Sequence, residues 1–288
     1  LMMIFFSIVI ALILERVLPQ LVELRRFDWL NEYTQWLAEL FNFQRIGAWL
    51  ATGIVLFPLI LLIWILSGMF ENALFGLFEL TFNIAVIFFC LGPRELDSQV
   101  DHYLDAIDVG SSEQRLNSAS RLTIQQPSSV VSEQVIQVCK AILVAANTRL
   151  YAVLFWFVVF GPVAAVLFRV IERLSQNQNQ DETLLELKRT LSVLLGWINW
   201  LPTRISLFAY MVSGNFDDGM QAFRSETSLT VDMNEQNNEL LQNVGFASMA
   251  SRPVENDTQA MEMVRKSRGL YLRSLMVWLF LLLLISVL

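Results

Sequence analysis

SEQVIQVCKAILVAANTRLYAVLFWFVVFG, residues 132–161, decides what kind of fold this chain adopts. Its first half mixes polar and apolar residues at helical spacing, and its second half is almost wholly apolar. One helix that starts in water and continues into a membrane accounts for both halves. Ser132 suits its N-cap. Carried on to Glu172 it covers about 40 residues, or roughly 60 Å at 1.5 Å per residue. Gly161-Pro162 is where such a helix is expected to kink.

The rest of the chain agrees with a membrane setting. It is 55% hydrophobic and 16% charged, whereas soluble domains sit near about 45–50% and about 25%. Six apolar segments stand out: 1–18, 47–66, 70–91, 150–168, 191–212 and 270–288. Ser67-Gly68-Met69 between the second and third reads as a tight helical hairpin. Only helices are expected, because in lipid each backbone group must be satisfied within its own segment. The predicted fold is all-α: a single polytopic membrane domain over 1–288, about six transmembrane helices of roughly 20 residues, and helical loops at 92–149 and 213–269. No basic residue precedes the first apolar segment and no small-residue cleavage site follows it, so it reads as a retained helix. Cys90 and Cys139 show no metal-binding spacing. The net charge is −7 and no basic stripe interleaves with aromatics, so nucleic acid is not an expected partner.

Topology follows from Lys and Arg. With six crossings, the loops 19–46, 92–149 and 213–269 share one side and 169–190 takes the other. The first group holds most of the basic residues, which puts those loops in the cytoplasm and both termini outside. The fifth segment is the pivot: if Pro202 and Arg204 make 191–212 re-entrant, the last crossing inverts.

The loops have structure of their own. Leu96, Val100, Tyr103, Leu104 and Ile107 recur at helical spacing, with Pro93 suited to the first turn and Gly110 to the break. A second helix is expected over 113–122 and a turn at 125–129. NQNQDET, 177–183, reads as an exposed loop. Gly214 to about Thr258 has no strong period, the pattern of a partly mobile segment.

Polar residues in apolar surroundings are the candidate chemistry. GWINWLPTRISLFAY, 196–210, carries Asn199, Pro202, Thr203 and Arg204 near the middle of a span-length stretch. A charge at membrane depth faces a bundle interior or a wet cavity, so Asn199 and Arg204 read as the lining of an anion pocket. Equally, Arg204 reads as a side chain that snorkels to the interface beside Trp197 and Trp200. Asp97, Asp101, Asp105 and Asp108 follow i, i+4, i+8, i+11 along one helix face. The first three read as ligands for Mg²⁺ at a nucleotide, or else as a solvated face. His102 is the single histidine, which leaves no two-histidine metal site. Glu15-Arg16 reads as an interfacial ion pair or as a cavity-lining carboxylate. Arg265, Lys266, Arg268 and Arg273 suit contact with anionic lipid heads. No standard phosphate-loop pattern is present.

Taken in order, ILERVLPQL at 13–21, LGPRELDSQVDHYLDAID at 91–108, GPVAAVLFRVIERL at 161–174, LGWINWLPTRI at 195–205 and the basic lead into a C-terminal apolar helix resemble the AmpE family. That resemblance implies a multi-pass protein of the bacterial inner membrane, a sensor or signalling modulator tied to β-lactamase induction and peptidoglycan recycling. Its implied partners are membrane lipids and AmpD or other inner-membrane proteins. AmpE proteins are distantly similar to the CobD/CbiB membrane enzymes, which make adenosylcobinamide phosphate with ATP and Mg²⁺. Their N-W-[IL]-P-x-R pattern is matched here by Asn199, Trp200, Leu201, Pro202 and Arg204. Their E-N-T-x-D-G motif reads Ala146-Asn147-Thr148-Arg149-Leu150-Tyr151, keeping Asn147 and Thr148 and losing both carboxylates. Their N-T-L-D-S reads Glu172-Arg173-Leu174-Ser175-Gln176, which loses another at Ser175. The resemblance therefore implies an anion-binding cavity lined by Asn147, Thr148, Asn199 and Arg204, with synthase chemistry degenerate and a nucleotide with Mg²⁺ as the cofactor to test. A live ATP- and Mg²⁺-dependent ligase and a ligand-free structural partner are the competing readings.

Overall fold

The computed structural model describes residues 2–18, 27, 29–70, 77–123, 125–176, 182–226, 232–250 and 253–287. These residues contain helices and turns and no strand. In chain order the helices are α1 Met2–Val17, α2 Trp29–Phe41, α3 Phe43–Ile46, α4 Ala48–Phe70, α5 Leu77–Cys90, α6 Pro93–Asp108, α7 Ser112–Ser120, α8 Val131–Ala146, α9 Ala152–Ser175, α10 Glu182–Ser213, α11 Phe216–Ser225, α12 Met233–Ser248 and α13 Asp257–Val287. A π turn, Asn147–Tyr151, joins α8 to α9. The protein is all-α and of the membrane class.

Among the described residues, four helical stretches are long and apolar enough to cross a membrane: Ala48–Met69, Leu77–Asp108, Val131–Ser175 and Asp257–Leu284. The other two expected spans are also helical but stand outside this set. α1 has 16 residues, short of the roughly 20 a crossing needs. α10 has 32 residues, with Glu182, Glu186, Lys188 and Arg189 crowding its first turns.

The long helix expected from residue 132 is present as one run from Val131 to Ser175. Gly161 has φ 75° and ψ −163° inside it. The residue before a proline is pushed out of the α region, and only glycine takes a positive φ without steric cost, so the Gly161-Pro162 pair sets the bend. Pro93 opens α6 and Gly110, at φ 73°, closes it.

Other expectations are corrected. Ser67-Gly68-Met69 do not turn: α4 continues through them to Phe70, and the link to α5 lies outside the described residues. Ser132 is not the N-cap. Val130 holds that position, and Ser128 serves the turn by accepting from the Val130 N–H at 3.2 Å and donating to Glu133 Oε2 at 2.7 Å. The segment after Gly214 contains two helices, α11 and α12, and α11 is capped by Asn215 Oδ1, which accepts from the Asp217 and Asp218 N–H groups. Pro202 lies inside α10 without ending it. The loop expected at 177–183 lies largely outside the described residues, and α10 begins within it at Glu182.

The chain forms two compact units. The first comprises residues 1–91, 152–200 and 232–234. There α5 packs on α1 and α9, and α9 on α4, burying Ile8, Ala11, Val55, Ile87, Ala165, Phe168 and Ile171. Gly196 lets the chain at 233–234 close on α10: a Cβ there would lie 2.6 Å from the Asn234 backbone nitrogen. The second unit comprises 92–151, 201–231 and 235–288. In it α13 packs on α8 and α6, and α6 on α7 and α8, around Val100, Tyr103, Val138, Ile142, Leu241 and Val264.

Candidate functional site

The π turn is an irregular point of the longest helical run, and such insertions gather at functional positions. Its extra residue leaves carbonyls for outside donors, and the Gly92 N–H donates to Arg149 O at 3.0 Å. Arg149 Nη1 in turn donates to Gln99 Oε1 at 3.0 Å and lies 3.9 Å from Glu95. The turn is thereby fastened to α6.

Asn147 opens the turn and is fully buried. Its Oδ1 accepts the Ser206 hydroxyl at 2.7 Å. Thr148, also buried, donates its hydroxyl to Val144 O at 3.3 Å within its own helix. One turn earlier, the Tyr210 hydroxyl donates to Leu143 O at 2.7 Å. At the far end the Tyr151 hydroxyl reaches Tyr271 O at 2.5 Å, and its ring sits edge-on to Tyr210 and stacked on Trp278.

Arg204 stands on α10 two residues before Ser206. Its side chain is half-buried, and its Nη1 donates to Asn237 Oδ1 at 2.5 Å. Asn237 is fully buried on α12. Just before Arg204 in the chain, the Thr203 hydroxyl is buried with no hydrogen-bond partner among the described residues. The second unit contains three expected residues, Asn147, Thr148 and Arg204, and pairs Asn147 with Ser206 and Arg204 with Asn237, two partners that the sequence reading missed. A signal for Ser206 did exist: Asn199, Thr203, Ser206 and Tyr210 run i, i+4, i+7, i+11 through an apolar stretch, and all four are buried. Asn237 lies in a stretch whose helix was not anticipated.

Asn199 belongs to the first unit and is completely buried there. Next to it, the cost of Pro202 is met locally. Proline has no N–H to give the carbonyl four residues back, and that carbonyl, Ile198 O, takes the Trp156 indole N–H at 3.2 Å instead.

The three acids expected at a magnesium site are not gathered in one place. Arg268 lies 3.1 Å from Asp97 Oδ1 and donates to Asp101 Oδ1 at 2.7 Å, and the Tyr271 hydroxyl also donates to Asp97. A guanidinium thus stands where a cation would. Asp105 faces elsewhere, lining an open cleft of about 320 Å³ with His102, Gln114, Asn117 and Arg121. Among the described residues no group of three His, Cys, Asp or Glu side chains could hold a metal ion. Glu15 is buried in the first unit. In the same unit Arg169 and Glu172 form a buried ion pair at 3.0 Å, with both Arg169 and Arg173 over the Phe27 ring.

Comparison with known proteins adds a family. No solved structure matches the chain. A curated relative, the cobalamin biosynthesis protein CobD of Chromobacterium violaceum, is 24% identical over 181 residues, covering 61% of this chain and 55% of that protein. The chain therefore spans about half the length of the relative it matches. The family described as "Regulatory signalling modulator protein AmpE" matches from residue 3 to residue 285. With nearly every described helix inside that match, the chain belongs to the AmpE family.

Proposed function

We propose that this chain is a multi-pass signalling modulator of the bacterial inner membrane, coupled to β-lactamase induction and peptidoglycan recycling, and that it reads a small anionic ligand through Arg204. Family membership supports the signalling role. The observation that carries the ligand reading is the buried Ser206–Asn147 hydrogen bond. It ties the π turn to the helix that presents Arg204, so a ligand gripped by the guanidinium would pull on the π turn of the long helix. Arginine suits such a task because its planar fork binds carboxylate or phosphate in two-point fashion. Asn237 aims that fork, and the same reading assigns Asn147 and Thr148 to the polar lining. AmpD and other inner-membrane proteins are the partners this role implies.

The test is genetic. Deleting the gene should blunt the rise in β-lactamase after a β-lactam inducer. The wild-type chain should restore it and Arg204→Ala should not. An induction curve unchanged by the deletion would end this reading.

The similarity to a cobalamin biosynthesis protein favours a second reading, an ATP- and Mg²⁺-dependent ligase. Magnesium-dependent ATP turnover that falls on Arg204→Ala or Asp101→Ala would support it. The carboxylates missing at Ala146, Leu150 and Ser175 and the pairing of Asp97 and Asp101 with Arg268 weigh against it.

A further inference from the structure

Helix α2, WLNEYTQWLAELF, divides its surface into three sectors. Leu30, Thr34 and Leu37 follow i, i+4, i+7 and are buried at 1%, 3% and 4% exposure. This stripe faces the protein, and beside it the Tyr33 hydroxyl donates to Val55 O on α4 at 3.1 Å. Glu32, Gln35 and Glu39 form a second, exposed polar sector. Trp29, Trp36 and Leu40, at i, i+7, i+11, form a third that is apolar and yet 47%, 58% and 60% exposed. A helix resting on water has no reason to present two indoles and a leucine on one line, since large exposed apolar patches mark interaction surfaces.

We propose that α2 lies in the plane of the membrane surface, with the Trp29–Trp36–Leu40 line in the lipid interface and the Glu32–Gln35–Glu39 face in water. Continuity with the lipid-facing wall of a span argues for lipid as the occupant. Only α3 separates α2 from α4, one of the four span-length helices. Trp49 and Leu50, in the first turn of α4, are 65% and 60% exposed, and Phe57 further along is 63% exposed. The apolar line of α2 thus leads into the exposed apolar surface of the span. Tryptophan is the residue type enriched at that depth, where an apolar ring with one polar N–H is satisfied on both counts. An amphipathic helix with aromatic residues on one face and charge on the other is the form that settles there. Tyr33, tied to the α4 backbone, then sets the depth at which the span begins.

The test uses the full chain in vesicles of phosphatidylcholine and phosphatidylglycerol. Trp36→Cys and Gln35→Cys variants carry a nitroxide, since the native Cys90 and Cys139 are buried and resist labelling. Accessibility is measured with oxygen, which concentrates in lipid, and with a water-soluble nickel chelate. The label at 36 should favour oxygen several-fold over the label at 35, which should favour nickel. Trp29→Cys should repeat the result at 36 and guards against one variant misfolding. Equal nickel access at 35 and 36 would overturn the proposal in favour of a helix in water. A label at 36 shielded from both reagents would overturn it in favour of a protein occupant, including a second copy of this chain.

Discussion

Ser206 and Asn147 lie 59 residues apart in sequence and meet in a completely buried hydrogen bond of 2.7 Å between α10 and the π turn. Polar contacts between helices at membrane depth average about 0.6 kcal/mol and reach about 1.7 kcal/mol in coupling experiments. This one should stand toward the upper end, because neither side chain has access to water. In a double-mutant cycle by unfolding in mixed micelles, Ser206→Ala and Asn147→Leu should each destabilise by about 1–3 kcal/mol. Together they should cost clearly less than the sum. Strict additivity would mean that the bond is not formed.

Trp156 and Pro202 make a second testable pair. Trp156→Phe leaves Ile198 O without its donor and should cost about 1 kcal/mol. In a Pro202→Ala background the new N–H can reach the same carbonyl, and the cost of Trp156→Phe should shrink to a few tenths. Melting of the four proteins side by side checks this.

Gly161 is held in the left-handed region by the proline that follows it. Gly161→Ala should destabilise by about 1–3 kcal/mol through backbone strain. Adding Pro162→Ala frees residue 161 to return to helix, so the double variant should recover part of the loss. Circular dichroism melts distinguish the two.

The acids of α6 should behave as ion-pair partners of Arg268. Asp97→Asn removes a contact to Arg268 and weakens the acceptor for Tyr271, whereas Asp101→Asn removes an exposed pair worth about 0–1 kcal/mol. The first should therefore lower the melting temperature more than the second. Millimolar Mg²⁺ or a chelator should move neither the wild-type nor the variant melt.

Much of this was written in the sequence at points where one residue type forces the backbone. Pro93 at a helix start, Gly110 at its end and Gly161-Pro162 at the bend all stand where expected, because proline fixes φ and glycine takes at little cost the positive φ that these breaks use. The continuous helix from 131 to 175 followed from uninterrupted helical spacing. The features that escaped lack such a marker. A π turn inserts one residue without disturbing composition, so nothing between Ala146 and Ala152 announces it. Ser67-Gly68-Met69 reads as a break, yet a glycine within a helix costs only about 1 kcal/mol relative to alanine, and α4 runs through it to Phe70. Helix α11 carries a short period, Phe216, Met220 and Phe223 at i, i+4, i+7, that the reading passed over, whereas α12 buries Asn237, Leu241, Val244, Gly245 and Ser248, too mixed a set for a hydrophobic period to emerge. Arg204 stands out as a charge in an apolar stretch, whereas Asn147 and Thr148 enter through the resemblance to the CobD/CbiB motif. Their partners Ser206 and Asn237 become visible only when the helices that bear them are brought together.

The central claim, that Arg204 holds a small anion, is tested most directly by native mass spectrometry of the gently solubilised protein beside its Arg204→Ala variant. A small-molecule adduct on the wild type that disappears from the variant, with both proteins folded, is the predicted result, and its mass names the ligand class. Spectra in which the two proteins carry the same adducts, or lipid alone, would contradict the account and leave Arg204 as a structural partner of Asn237.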